Sequence, residues 1–155
     1  MQMAYDYTKL YTLFARMIKA KMGLTMIELN GNGKQPAAPF VAFDIVSPRI
    51  PITWLEDEDA FECVVSFTAY AKSKVQAMTL CDQLRDMLGK TSARDKYDAA
   101  GVVLVERTAS QVRYVEETET YAYMVGFDAR LRIVDVKTDD VGEITEIKTK
   151  ESLNG

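Results

Sequence analysis

Histidine is absent from the 155 residues, which removes the Ser-His-Asp and Cys-His relays, His-ligated zinc and imidazole acid/base chemistry together. Carboxylates, lysines, tyrosines and two cysteines remain. Acids gather at Glu56-Asp57-Glu58-Asp59, a charge run at a predicted turn. It lacks the glycine and distal glutamate of a calcium loop and any apolar surroundings that would shift a pKa, so it reads as solvated. Lys34 closes Asn30-Gly31-Asn32-Gly33-Lys34, which superficially has the look of a phosphate loop. The Walker pattern needs Ser or Thr after the lysine and a helix behind it, whereas Gln35 and Pro36 follow here. Cys63 and Cys81 each fall on the apolar side of a predicted element and read as buried thiols rather than a disulfide or metal site. The expectation is a protein without catalytic, cofactor-binding or metal-binding residues, and without a cofactor.

Residues suited to binding another protein are easier to find. The stretch Ser47-Pro48-Arg49-Ile50-Pro51-Ile52-Thr53-Trp54-Leu55 reads as a long connection, yet it carries the only tryptophan and three other large apolar side chains. Connections are ordinarily polar. Ile50, Ile52 and Trp54 alternate, so with Leu55 they can form one face of an extended arm. A second long connection, Thr108 to Thr120, holds Val112, Tyr114 and Val115 among charged residues. Two readings are open for the first: the apolar side chains fold back onto the domain's own core, or they dock on another subunit. The second extends its hairpin beyond the body as an arm that finds a neighbour. Ile50, Ile52, Trp54, Leu55, Val112 and Tyr114 are therefore the candidate interface residues.

The elements that position these segments follow from periodicity. From about Tyr5 to Met22, Tyr7, Leu10, Tyr11, Phe14, Met17 and Ile18 recur on one helical face, with Asp6 as cap and Gly23 as stop. Lys9, Arg16, Lys19 and Lys21 lie off that stripe as a solvated basic face. Phe40–Val46 and Phe61–Ala71 alternate as strands. Ser73-Lys74-Val75-Gln76 has the form of a capping box, opening a helix that Gly89 ends. Val102–Val105 is a short strand, and Tyr121–Ile133 is the longest, with Gly126 marking a bulge or bend. The order helix, strand, strand, helix, strand, strand predicts an α+β fold. Its four-stranded antiparallel sheet carries two helices packed on one face and long hairpin arms. Phe14, Phe67, Cys81, Leu84, Phe127 and Leu131 should share its core. Residues 1–136 are expected to form one domain and residues 137–155 a charged tail or arm.

Charge and hydropathy exclude further classes. With 19 Lys+Arg against 23 Asp+Glu, a formal charge of −4 and pI near 5.0, the chain is unsuited to coating nucleic acid or anionic lipid. The signs are uneven, since residues 1–50 hold six Lys/Arg against Asp6, Glu28 and Asp44. Such polarity can assist subunits that meet head to tail, and two differently solvated faces explain it equally well. No leader pattern and no stretch of about 18 apolar residues is present, so a cytosolic protein away from membranes is expected.

The phrases Pro36-Ala37-Ala38-Pro39-Phe40-Val41-Ala42-Phe43, Val65-Ser66-Phe67-Thr68-Ala69-Tyr70-Ala71, Leu84-Arg85-Asp86-Met87-Leu88 and Gly126-Phe127-Asp128-Ala129-Arg130-Leu131-Arg132 lie in order along residues 5–135. Together they resemble the neck and tail terminator proteins of tailed bacteriophages. The resemblance implies a structural virion protein of the tail or neck, assembled in the host cytoplasm. It would form a ring, hexameric in the family, that ends the tail tube and joins it to the head-side connector or stopper. Its partners would be copies of itself, the tail tube protein and that connector, with DNA only passing through the channel. The family has no catalytic residues to carry over. Other readings are a head-completion or tail-tube-like phage subunit, or a small ligand-binding domain or enzyme working without histidine.

Overall fold

The computed structural model describes residues 5–28, 36–52, 60–116 and 122–134, with nothing said of the side chains of residues 114–116 and 122. Along the chain come α1 (Thr8–Met22), β1 (Met26–Glu28), β2 (Phe40–Pro51), β3 (Ala60–Ala71), α2 (Lys74–Leu88), α3 (Thr91–Ala100), β4 (Val102–Arg107), β5 (Gln111–Glu116) and β6 (Ala122–Val134). The α+β class is as the periodicity requires, but the layout differs from the expected four antiparallel strands and two helices. The described sheet is mixed and six-stranded, in the order β1-β2-β3-β6-β4, with β5 also on β6. Three helices share its core.

Helix ends explain themselves locally. The Asp6 carboxylate accepts from the Thr8 backbone N–H (3.1 Å) and hydroxyl (2.6 Å), although Tyr7 rather than Asp6 occupies the cap position. Those bonds to the charged form hold the Asp6 carboxyl below its ordinary pKa. Gly23 closes α1 with φ +69°, its N–H bonded to the Lys19 carbonyl, the left-handed stop that glycine adopts without cost. Ser73 Oγ accepts from the Gln76 N–H (3.1 Å), and Gln76 Oε1 reaches back to the Lys72 N–H (3.1 Å), one residue earlier than a capping box predicts. Helix α3 buries only Ala93 and Tyr97, too thin an apolar stripe to stand out in sequence. Its Tyr97 hydroxyl donates to the Leu88 carbonyl at the end of α2 (2.8 Å).

The sheet is built outward from one pairing. β3 and β6 run antiparallel through twelve consecutive residue pairs, from Ala60↔Val134 to Ala71↔Tyr123, without a register shift. Odd-numbered residues of both strands face the helices. Phe67 touches Phe14, Phe43 and Phe127 with ring centroids 5.1–5.6 Å apart, and Leu84, Cys81 and Leu131 complete the same buried core.

Four sequence expectations change at the flanks. The short stretch after α1 is a parallel strand, β1, beside Val41–Phe43. β2 continues through Ser47–Pro51, read from sequence as a loop because of its prolines. Beyond Phe43 no described strand lies outside β2, so a proline there forfeits no ladder bond. The connection after Arg107 is also largely strand: β4 pairs with Ala129–Ile133 and β5 with Ala122–Gly126 of the same β6 edge. They form one edge strand broken at residues 108–110. Finally, Gly126 marks no bulge, since β6 keeps its register against β3 there. Residues 53–59 and 137–155 lie outside the described residues, the latter being the expected tail.

Phe67 and Phe127 are fully buried. Replacing either with alanine should lower unfolding free energy by roughly 3–5 kcal/mol in a denaturant titration.

Candidate interface site

The candidate residues fall on two opposite flanks of the sheet. On the β2 flank, the register against β3 shifts between Ile45 and Ser47 and again between Ser47 and Ile50. This irregular stretch is fastened at its base. The Tyr7 hydroxyl donates to the Pro48 carbonyl (2.7 Å), and the Arg49 guanidinium sits 4.3 Å from the Phe61 ring centroid, a cation–π contact. Partial burial raises the pKa of the Tyr7 phenol. On either side of that base apolar side chains are exposed, Val46 at 53% before it and Ile52 at 42% after it, with Ile50 half-buried between. Trp54 and Leu55 lie outside the described residues.

The opposite flank is the β4–β5 edge. Thr108, at the break between the strands, donates its backbone N–H to the Asp128 carbonyl (2.8 Å) and accepts the Asp128 N–H on Oγ1 (2.8 Å). One threonine thus replaces the ladder bonds the break would lose. On the helix side, Arg85 of α2 donates to the Thr108 carbonyl and stacks over Phe127 (5.0 Å), while Arg107 donates to the Arg85 carbonyl (2.7 Å). The Cys81 thiol reaches Ser110 Oγ (3.6 Å). Val112 then protrudes, 54% exposed. Tyr114 lies in the same strand, its side chain outside the description.

Arg113 fixes this arm to the body. From β5 it reaches across the outer face of β6 to the middle strand, donating to Ser66 Oγ (2.6 Å), Thr68 Oγ1 (3.2 Å) and Asp128 Oδ1 (3.1 Å). On the same face Gly126 of β6 lies tight against the neighbouring strand β3. A Cβ there would press on the Phe67 carbonyl oxygen and come within 2.9 Å of Thr68 Oγ1. Sequence reasoning missed this cluster: alternation marks Asp128 as outward, but nothing in the spacing joins it to Arg113 or to strand β3. Further along the outer face Glu62 pairs with Arg132 (3.0 Å) and Arg130 (3.4 Å).

Neither cysteine offers a reactive thiolate. Both are free and buried, and burial pushes Cys63 up to about 11 and raises Cys81. Among the described residues no three acids or cysteines gather as metal ligands, and no helix is long and apolar enough to cross a membrane.

A family model of the phage neck terminator proteins matches residues 8–155. The chain belongs to that family. No curated protein matches it. A neck terminator is a structural component of the bacteriophage tail or neck, associating with other phage proteins; this one exposes apolar side chains on both flanks of its sheet, and Val75 and Met78 on α2 as well. Val46 on the first, and Val103 and Val105 in β4 on the second, are exposed residues that sequence reasoning did not single out. Their signal was present as β-branched residues at strand edges, indistinguishable from core residues until the neighbours were known.

Replacing Arg113 with methionine leaves the Ser66 and Thr68 hydroxyls short of a partner. It should cost about 1–2 kcal/mol, discounted for the partly exposed guanidinium and carboxylate, in a urea titration. The thiols give a pH dependence of definite sign. Between about 9, the ordinary thiol value, and about 11, the unfolded chain releases a proton that folded Cys63 retains. Stability is therefore complete below pH 9 and falls as pH rises through that window. Cys63→Ser should flatten the decline in melting temperature between pH 9 and 10.5.

Proposed function

We propose that copies of this chain close head to tail into a ring, hexameric as the family resemblance implies, that ends the tail tube and joins it to the head-side connector. The observation carrying this reading is the pair of unlike apolar flanks on opposite edges of one sheet: Ile50 in β2 with Ile52 just after it, and Val112 on β5. A two-fold dimer presses one patch against its own copy, whereas a ring needs two different patches facing away from each other. Trp54 and Leu55 follow the first patch in sequence, and Pro48 and Pro51 stiffen it, reducing the entropy lost on docking. The partners are further copies of the chain, the tail tube protein and the head-side connector, in a virion assembled in the host cytoplasm. DNA only passes through the channel, and an overall acidic chain suits a lining that does not grip phosphates. The role is structural, without catalysis or cofactor.

Mixing experiments test the head-to-tail arrangement. Ile52→Asp and Val112→Asp should each leave the melting temperature of the monomer within about 2 °C, because both side chains are exposed, while abolishing rings and capped tubes in negative stain. An equimolar mixture of the two variants retains one intact interface and should give dimers by native mass spectrometry, but no rings. Rings that persist in both single variants overturn the reading. Trp54→Ala should weaken assembly without lowering the melting temperature; lost stability with unchanged assembly would show that the tryptophan packs on its own domain.

A further inference from the structure

Beside β4 lies a cleft of about 420 Å³, lined by the end of α2, by α3 and by β4 itself. Its charged lining is Arg85, Lys90, Arg94 and Arg107 against only Asp98 and Glu106. Two of these guanidinium groups are spent on neutral acceptors, Arg85 on the Thr108 carbonyl and Arg107 on the Arg85 carbonyl. Among the described residues neither Arg85, Arg94 nor Arg107 meets a carboxylate. Lys90 pairs with Asp86 only at 3.9 Å, with both side chains largely in solvent. The cleft therefore keeps a net positive field. Its floor is the outermost described strand on this side, β4, with Val103 and Val105 exposed and without the prolines that guard β2. An open valine-bearing edge of this kind is a template for an added segment.

The chain carries a segment of matching chemistry. Between positions 139 and 146 it reads Asp139-Asp140-Val141-Gly142-Glu143-Ile144-Thr145-Glu146, four acids and no cation, with Val141 and Ile144 between them. The segment is tethered beside the cleft: the last described residue, Val134, donates its N–H to the Gly101 carbonyl at the start of β4 (2.8 Å). Four residues, 135–138, connect the two. At about 3.3 Å per extended residue they reach roughly 13 Å, enough to round the Gly101 turn. A tether this short holds the segment at millimolar effective concentration.

We propose that the acidic stretch 139–146 docks on its own copy along β4, its carboxylates held in the positive field of Arg94, Arg107 and Lys90 and its Ile144 set beside Val105. This makes 137–155 an arm that shields one edge of the domain. The proposal does not depend on the ring, and it is tested on the monomer.

Hydrogen exchange of the full chain is compared with a chain ending at Val136 and with a full-length variant carrying Asp139→Asn, Asp140→Asn, Glu143→Gln and Glu146→Gln. Amides of residues 102–107 should exchange about tenfold faster in both variants, with β3 amides unchanged as the measure of intact folding. Raising salt to about 0.5 M should speed the same amides in the unaltered chain. Equal exchange at 102–107 in the full chain and the four-fold variant overturns the proposal, whatever truncation does to folding. A Val105→Cys, Ile144→Cys chain should oxidise to a cross-linked monomer; a cross-link found only at dimer mass overturns docking on the same copy.

Discussion

The unbroken pairing of β3 with β6 is the constraint on which the rest of the structure depends. Twelve residue pairs without a shift align two rows of side chains so that Cys63, Val65, Phe67 and Ala69 meet Leu131, Ala129, Phe127 and Val125 on the helix side. A slip of one residue would set one row facing the helices and turn the other to the outside. Because every helix buries its stripe against this surface or its extensions, α1 through Phe14 and α2 through Leu84 and Cys81, the register of one strand pair decides the placement of all three helices.

Irregularity is displaced to the flanks. β2 shifts register twice against β3, and β4 shifts once against β6, while the pair between them does not. Each irregular flank is tied down by a contact that reaches inward: Tyr7 to Pro48 and Arg49 to Phe61 on one side, Arg113 to Ser66, Thr68 and Asp128 on the other. Arms held at their base can present apolar side chains at a defined angle, which lowers the ordering entropy that association must overcome. A neck terminator of the bacteriophage tail needs surfaces of this kind, since its role is to associate with other phage proteins.

The outer face of the sheet works by a different logic from the core. Arg113 of β5 crosses β6 to reach β3, and Glu62 holds Arg130 and Arg132 further along the same face. These are partly exposed polar contacts, individually modest. Their weight lies in geometry: Arg113 fixes β5 to the middle of the sheet, where the ladder alone would attach it only to β6.

Alternation along Phe61–Ala71 and Tyr121–Ile133, and the 3.6-residue stripe of Phe14, Leu84 and Cys81, were enough to determine the core and its two main helices, because burial of one face imposes a period that any reader of the chain can count. Resemblance in short apolar phrases carried the family. Tertiary structure alone decided the rest. β1 and β5 are strands by virtue of the neighbours they pair with, Ser47–Pro51 is strand because its edge asks nothing of the proline nitrogens, and α3 buries too little to leave a stripe. The Arg113 cluster joins residues 15 and 47 positions apart, and Gly126 is needed because the backbone of β3 lies close against it. Hydrogen-bond partners and open edges are properties of pairs of segments, and no local pattern in one segment encodes which other will lie beside it.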